Sequence, residues 1–144
     1  ANVYAPGKRP FHTIIPAFVM RDTMPLMSFG LMGGSMQPQG HVQILINMID
    51  YGMNPQEAGD AARMNHTGGR QPTGEGHDDL RGTLHLEPGV SATTIAELKK
   101  MGHRVKVVHN GVMFGGYQGI YRDPETGVYV GATEMRKDGL AIGY

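Results

Sequence analysis

Gly33 and Gly34, followed at once by Ser35, are the residues of this sequence whose types and spacing most invite chemistry. An apolar run precedes them at 27–32 (MSFGLM) and a helical period follows, so the pair sits where a strand turns into a helix. Bare N–H groups at a helix N-terminus point outward and carry a partial positive charge. Without a Cβ, two glycines let a substrate oxygen come close to that backbone, which suits an oxyanion hole or an anion site. A tight strand-to-helix connection with no ligand accounts for the same residues. Ser35 could serve as a nucleophile, but helix capping explains it without further assumptions.

No other cluster supplies the missing half of a catalytic pair. The seven histidines include no pair spaced i, i+3 or i, i+4 on a helix. The best local group, His77-Asp78-Asp79, lies in a long loop and reads as solvated, since metal-ligand spacing is lacking. Met32 and Met36 flank the diglycine and read as packing, and Thr93-Thr94 as a helix start. G-x-S-x-G, the P-loop and G-x-G-x-x-G are all absent. What remains is a candidate oxyanion site without a nucleophile and base.

The elements that must position the diglycine follow from the flanking patterns. Residues 11–20 (FHTIIPAFVM) read as a strand with Pro16 at a bulge or edge, turned by Arg21-Asp22-Thr23 into a second strand that feeds the glycines. After them Ser35 is the expected N-cap, with Pro38 tolerated in the first turn. Val42, Leu45, Met48 and Ile49, broadened by Ile44 and Ile46, form the expected buried face. Gln39, Gln43, Asn47 and Asp50 form the polar stripe, and Gly52 the left-handed stop. Asn54-Pro55-Gln56-Glu57 carries a capping box and starts a short helix to about Arg63.

Residues 65–82 show no periodicity and several glycines, an unusually long loop for a compact domain. A short strand at 83–87 follows. Ser91 then caps a helix whose Ile95, Leu98 and Met101 should face the core, ending at Lys99, Lys100 and Gly102. Residues 104–109 read as a strand. Residues 117–122 and 128–132 flank Asp123-Pro124-Glu125-Thr126-Gly127 as a hairpin, and the apolar tail reads as an edge strand. Strands with a helix laid on them imply a layered α/β unit.

Composition narrows the function classes. At 144 residues the chain is one domain's worth, and 40% apolar content argues against disorder. Thirteen basic residues balance thirteen acidic ones with no Lys/Arg cluster, which gives no support to a nucleic-acid partner. No apolar run approaches the ~18 residues of a transmembrane helix. With no cysteine, disulfides, thiol nucleophiles and thiolate metal sites are excluded, and the compartment stays open. The chain begins Ala1-Asn2-Val3 without a signal peptide or initiator methionine, the start expected of a processed or truncated product.

Several motifs in sequence order carry a resemblance across nearly the whole chain. Pro6-Gly7-Lys8-Arg9-Pro10, Met32-Gly33-Gly34-Ser35 and Gln37-Pro38-Gln39-Gly40-His41 resemble segments of the γ-glutamyltransferase family. Tyr51-Gly52-Met53-Asn54-Pro55 with Glu57-Ala58, Arg136-Lys137-Asp138-Gly139 and Ala141-Ile142-Gly143-Tyr144 are similar to the segments that follow there. Within the family the chain is most similar to the acylase-like branch that includes cephalosporin acylases.

The resemblance implies an N-terminal nucleophile hydrolase fold, an αββα sandwich of two sheets between helical layers, of which residues 1–144 would be the C-terminal part of the small subunit. It implies a precursor that cuts itself into two subunits. The new N-terminal threonine then attacks a γ-glutamyl amide such as glutathione and passes the acyl group to water or an amino acid. Gly33 and Gly34 match the family's oxyanion-hole glycines. The nucleophile itself is expected before Ala1, in an upstream segment, with a large-subunit chain as the companion.

Two family serines that hold the glutamyl carboxylate correspond to His12 and Thr13. Thr13 keeps a hydroxyl and His12 does not, which opens the acyl specificity to another amide, glutaryl or cephalosporin-type. The family's Asp-Pro-Arg reads Glu134-Met135-Arg136 here, a structural substitution. Nothing in the sequence calls for a cofactor or a metal. A non-catalytic fragment that keeps only the anion-binding turn is the alternative from a different class.

Overall fold

The computed structural model describes residues 3–68 and 82–144. Its larger sheet is antiparallel and runs in the order β1 (Ala17–Arg21), β2 (Met24–Met32), β6 (Gly116–Arg122), β7 (Tyr129–Thr133). Alternation along these strands sends Met27, Phe29, Leu31, Tyr117 and Ala132 to one face, where they are buried. Helix α1 (Met36–Ile49) covers that face through Met36 and Ile44. The approach is close at Gly40, where a Cβ would fall 2.4 Å from Leu31 Cδ1.

The β1–β2 hairpin turns at Asp22, which takes a left-handed φ of 54° that aspartate tolerates better than most residues. The irregularity expected at Pro16 lies elsewhere. The register shifts between Val19 and Met20, opposite Pro25, and pairing begins only at Ala17. Residues 11–16 lie outside any strand. Pro16 has no N–H to give a ladder, and the Ile15 N–H goes instead to the side chain of Gln37.

The buried face of α1 is also rotated from the expected one. Val42, Ile46 and Ile49 are exposed, whereas Gln37, Gly40, His41 and Ile44 are buried and Leu45 and Met48 are partly so. The polar stripe is the reason. Gln43 accepts from Met64 N–H (2.8 Å) and donates to Met64 C=O (3.0 Å). Gln39 does the same for His66 at 2.8 and 3.1 Å. Four residues apart on one face, the two amides serve as a surrogate strand along an edge that would otherwise be unpaired.

That edge belongs to the second sheet, in the order β3 (Met64–Thr67), β4 (Thr83–Leu86), β5 (Val105–Val107). β3 and β4 are antiparallel; β4 and β5 are parallel, joined across α3 (Ala92–Lys100). Residues 65–67, expected in a loop, are thus a strand; residues 69–81, with His77, Asp78 and Asp79, lie outside the described residues. Caps form as the sequence indicates. Asn54 accepts from the Gln56 and Glu57 N–H groups while Glu57 accepts from Asn54 N–H, and Ser91 accepts from Thr94 N–H.

Three other expectations need correction. Helix α2 (Pro55–Asp60) stops short of Arg63, which is drawn into the interior. No residue of α3 is buried: Ile95 and Leu98 are half-buried and Met101 is exposed. The tail forms no strand. β7 is the sheet edge, and Gln56 takes both backbone groups of its last residue, Thr133.

The two sheets and α2 meet at a buried ion cluster. Arg136 donates to both Glu87 oxygens, to Glu134 (2.8 Å), and to the carbonyls of Gly59 and Ala61. Arg63, 1% exposed, donates to the carbonyls of Phe114 and Gly59 and lies 3.6 Å from Glu134. Burial and the neighbouring Arg136 hold the Arg63 guanidinium down to about 10, against the opposing pull of Glu134, Glu87 and Asp60, so it stays charged at neutral pH. Two cations and two carboxylates cancel, but removing one member strands the others. Arg136→Met is expected to lower the unfolding free energy of the complete protein by about 3–5 kcal/mol, read from denaturant midpoints.

Candidate active site

Strand β2 ends at Met32 and the chain reverses through Gly33 (φ 141°) and Gly34 (φ 60°) into α1. Both backbone conformations favour glycine. At Gly33 space forbids a side chain as well, since a Cβ would sit 3.0 Å from Gly115 Cα and 3.3 Å from Met36 Cβ. Gly115 is equally constrained, for its own Cβ would lie 2.3 Å from the Met32 carbonyl oxygen. The turn is therefore wedged backbone to backbone against the segment that opens β6. Around Gly34 a Cβ would meet nothing within 4 Å, so this side of the turn is open.

Ser35 occupies the N-cap position without capping. Its φ and ψ (−65°, −13°) are already helical, and its side chain makes no cap hydrogen bond. The tight turn satisfies the first helical donors instead: Met36 N–H bonds to Gly33 C=O and Gln37 N–H to Gly34 C=O, both at 3.1 Å. Among the described residues, the N–H groups of Gly33, Gly34 and Ser35 have no hydrogen-bond acceptor. All three residues are exposed. Consecutive unused donors at the positive end of a 14-residue helix are what a developing oxyanion requires.

Thr13 is linked to this turn through one side chain. Gln37 donates to Thr13 C=O (2.9 Å) and accepts from Ile15 N–H (2.8 Å), while its own N–H reaches Gly34 C=O. His12 and Thr13 are both exposed and lie outside any strand. The sequence reading missed Gln37, although it belongs to the Gln37-Pro38-Gln39-Gly40-His41 motif. Apart from that motif no local signal marks it, because the burial that makes its amide need partners is set by the fold.

His41 is the other residue missed. Its Nε2 accepts from Leu31 N–H at 3.1 Å, just beyond the point where β1 stops pairing with β2 at Ala17–Phe29. The ring stands edge-on to Phe29, 5.0 Å between centroids. An accepting Nε2 requires the proton on Nδ1. Among the described residues no group of three or more His, Cys, Asp or Glu side chains could hold a metal ion.

The chain is thus a layered α/β domain whose strand–diglycine–helix turn leaves backbone donors without an acceptor among the described residues. The sequence profile described as gamma-glutamyltranspeptidase matches residues 1–144, and the chain belongs to that family. It is 37% identical over 142 residues to a glutathione hydrolase-like proenzyme of Bacillus subtilis, which covers 99% of this chain and 26% of that protein. It is 36% identical over 141 residues to the oxamate amidohydrolase proenzyme of Klebsiella pneumoniae, 97% of this chain and 25% of that one. The crystal structure of a cephalosporin acylase from Bacillus halodurans superposes with a TM-score of 0.77 at 41% identity, covering 98% of this chain and 25% of that one.

The chain thus spans about a quarter of the length of these relatives. Its fold is that of the N-terminal nucleophile hydrolases, an αββα sandwich of which these residues form a part.

Burial lowers the pKa of His41; burial, then Lys106 and His66, lower that of His85. Because the folded protein binds these protons less readily than the unfolded chain, their contribution is full above the ordinary histidine pKa of about 6.5. It is lost as pH falls toward the depressed folded values. The thermal midpoint of the complete protein should therefore drop between about pH 7.5 and about pH 5. His41→Gln, which keeps an acceptor but no titrating group, should flatten part of that slope. A scan of melting temperature against pH for both proteins measures it.

Proposed function

We propose that these residues are the C-terminal part of the small subunit of a γ-glutamyltransferase-like amidohydrolase. In this reading an upstream segment carries the nucleophilic threonine, whose hydroxyl oxygen attacks the amide carbonyl carbon. The carbonyl oxygen takes on negative charge and is held by the N–H groups of Gly33 and Gly34. Collapse expels the amine and leaves an acyl-enzyme, which water or an amino acid then cleaves. The unused donors of the diglycine turn, in a family of acyl-transferring proenzymes, are the observation that carries this reading.

The threonine's α-amino group is the base in this scheme, which agrees with the lack of a nucleophile–base pair among the residues of the turn. His12 and Thr13 would line the acyl pocket. Thr13 offers one hydroxyl to a carboxylate. His12 stands where the transferases carry a second serine, and when protonated it would attract a carboxylate but repel an α-ammonium. That exchange favours a second substrate reading, an acyl group without the α-amine, such as glutaryl. The similarity to a cephalosporin acylase points the same way.

A companion large-subunit chain is part of the proposal. On the face of the larger sheet opposite α1, Phe18, Ile120 and Met32 are exposed, and Phe18 and Ile120 align across the strands through Ser28. Isolated apolar residues need no explanation, but a row across a sheet face calls for a cover. The large subunit and the upstream segment of the small subunit would supply it.

Two substitutions in the complete enzyme test the site. Gly34→Val places a branched side chain in the open side of the turn, at a φ such residues avoid, and disturbs the donors. A loss of about 10²–10³ in kcat is expected, with the folded state kept, by analogy with removal of one oxyanion donor. Near-normal kcat would make the turn purely structural. His12→Ser should raise kcat/KM for γ-glutamyl relative to glutaryl anilides by roughly tenfold, about 1.4 kcal/mol of discrimination. An unchanged ratio would remove His12 from the acyl site.

A further inference from the structure

Residues 11–16 would carry the acyl-binding side chains, yet they belong to no strand and are exposed throughout. Among the described residues, the hydrogen bonds that tie 11–15 to the rest of the chain both involve Gln37. Its amide donates to Thr13 C=O and accepts from Ile15 N–H, the pattern of a neighbouring strand compressed into one side chain. Gln37 itself is only 5% exposed and is fixed at the start of α1 by its own N–H, which bonds to Gly34 C=O. One residue thus touches both parts of the candidate site. A side chain without the amide would lose both bonds and leave the segment bound only through its chain ends.

We infer that Gln37 is a positioning residue that sets the acyl-binding segment His12–Thr13 against the oxyanion turn Gly33–Gly34, so that acyl-donor affinity depends on its side-chain amide. The inference rests on the acyl-transfer reading above. The two functions of Gln37 are separable. Its backbone bond to Gly34 survives any substitution other than proline, so the oxyanion donors keep their place. Its side-chain bonds to 13–15 do not survive, so the loss falls on binding. The segment is exposed, and its freed N–H and C=O can turn to water, which spares the fold.

The test uses the complete enzyme with two variants. Gln37→Met keeps length and removes both hydrogen bonds; Gln37→Glu keeps the acceptor for Ile15 N–H and loses the donor to Thr13 C=O. Amide hydrogen exchange at Ile15 should accelerate by roughly tenfold or more in Gln37→Met, and by less in Gln37→Glu. With γ-glutamyl and glutaryl anilides, both variants should raise KM for the better donor by roughly tenfold while kcat stays within a few-fold. Unchanged exchange in Gln37→Met would overturn the inference by removing the clasp. Faster exchange with unaltered KM, or a loss confined to kcat, would overturn it by making the clasp structural only. If the wild-type enzyme cleaves neither anilide, the acyl-transfer reading itself falls and this inference with it. Exchange at Ile15 then reports separately whether the clasp exists.

Discussion

Backbone amides that a sheet leaves unpaired must find partners, and this requirement organises the domain. Its sheets are short, so the unpaired edges are long relative to the core. Side chains that copy the peptide group meet the need: Gln39 and Gln43 on β3, Gln56 on β7, Gln37 on residues 13–15. His41 does the same for Leu31 N–H where β1 runs out. Helix α1 carries most of these groups, and its orientation follows from them. It must put Met36 and Ile44 on one sheet while keeping Gln39 and Gln43 in register with the edge of the other. No rotation about its axis would satisfy both demands and also bury Val42 and Ile49, which remain exposed.

The same constraint explains why the sheets are joined by charge. Where α2 ends, the carbonyls of Gly59 and Ala61 are left at the junction without helical partners, and Arg63 and Arg136 fill them. A guanidinium offers five donors and so can serve carbonyls and carboxylates together. Glu87 and Glu134 then balance the two cations inside a volume too dry to screen them. The arrangement fixes the end of β7 to the end of β4, and it makes Glu134 and Arg136, read from sequence as structural, part of the scaffold. Such a cluster is directional where an apolar junction would not be.

Much of this was legible in the sequence wherever the signal was local. The capping box at Asn54, the Ser91 cap and the turn from Asp123 to Gly127 depend on residues within a few positions of one another, and each formed as its types require. Gly33 and Gly34 were likewise readable, because a strand pattern met a helix pattern across them. What failed was long-range. β3 (Met64–Thr67) has no apolar alternation and exists because β4 and two glutamines hold it on both sides. The glutamines were read as a solvent-facing stripe, the default for polar residues on a helix, and nothing in local sequence says that an amide will be spent on a distant backbone. Arg63 read as a helix end for the same reason.

The candidate site inherits its rigidity from these long-range bonds. Gly33 cannot move toward β6 because Gly115 is already in contact, and it cannot move away without pulling Met36 from the core. Leu31, two residues earlier, is held on one side by Tyr117 and on the other by His41. The unused N–H groups of the turn are thus fixed in direction before any ligand arrives. Donors that need not reorganise stabilise a developing charge more than donors that must turn to meet it. Backbone is well suited to the task, since a peptide N–H has no rotamers to lose. At Gly33 both the φ and the lack of space call for glycine, and at Gly34 the left-handed φ favours it, so the geometry that makes the donors available also accounts for the residues that supply them.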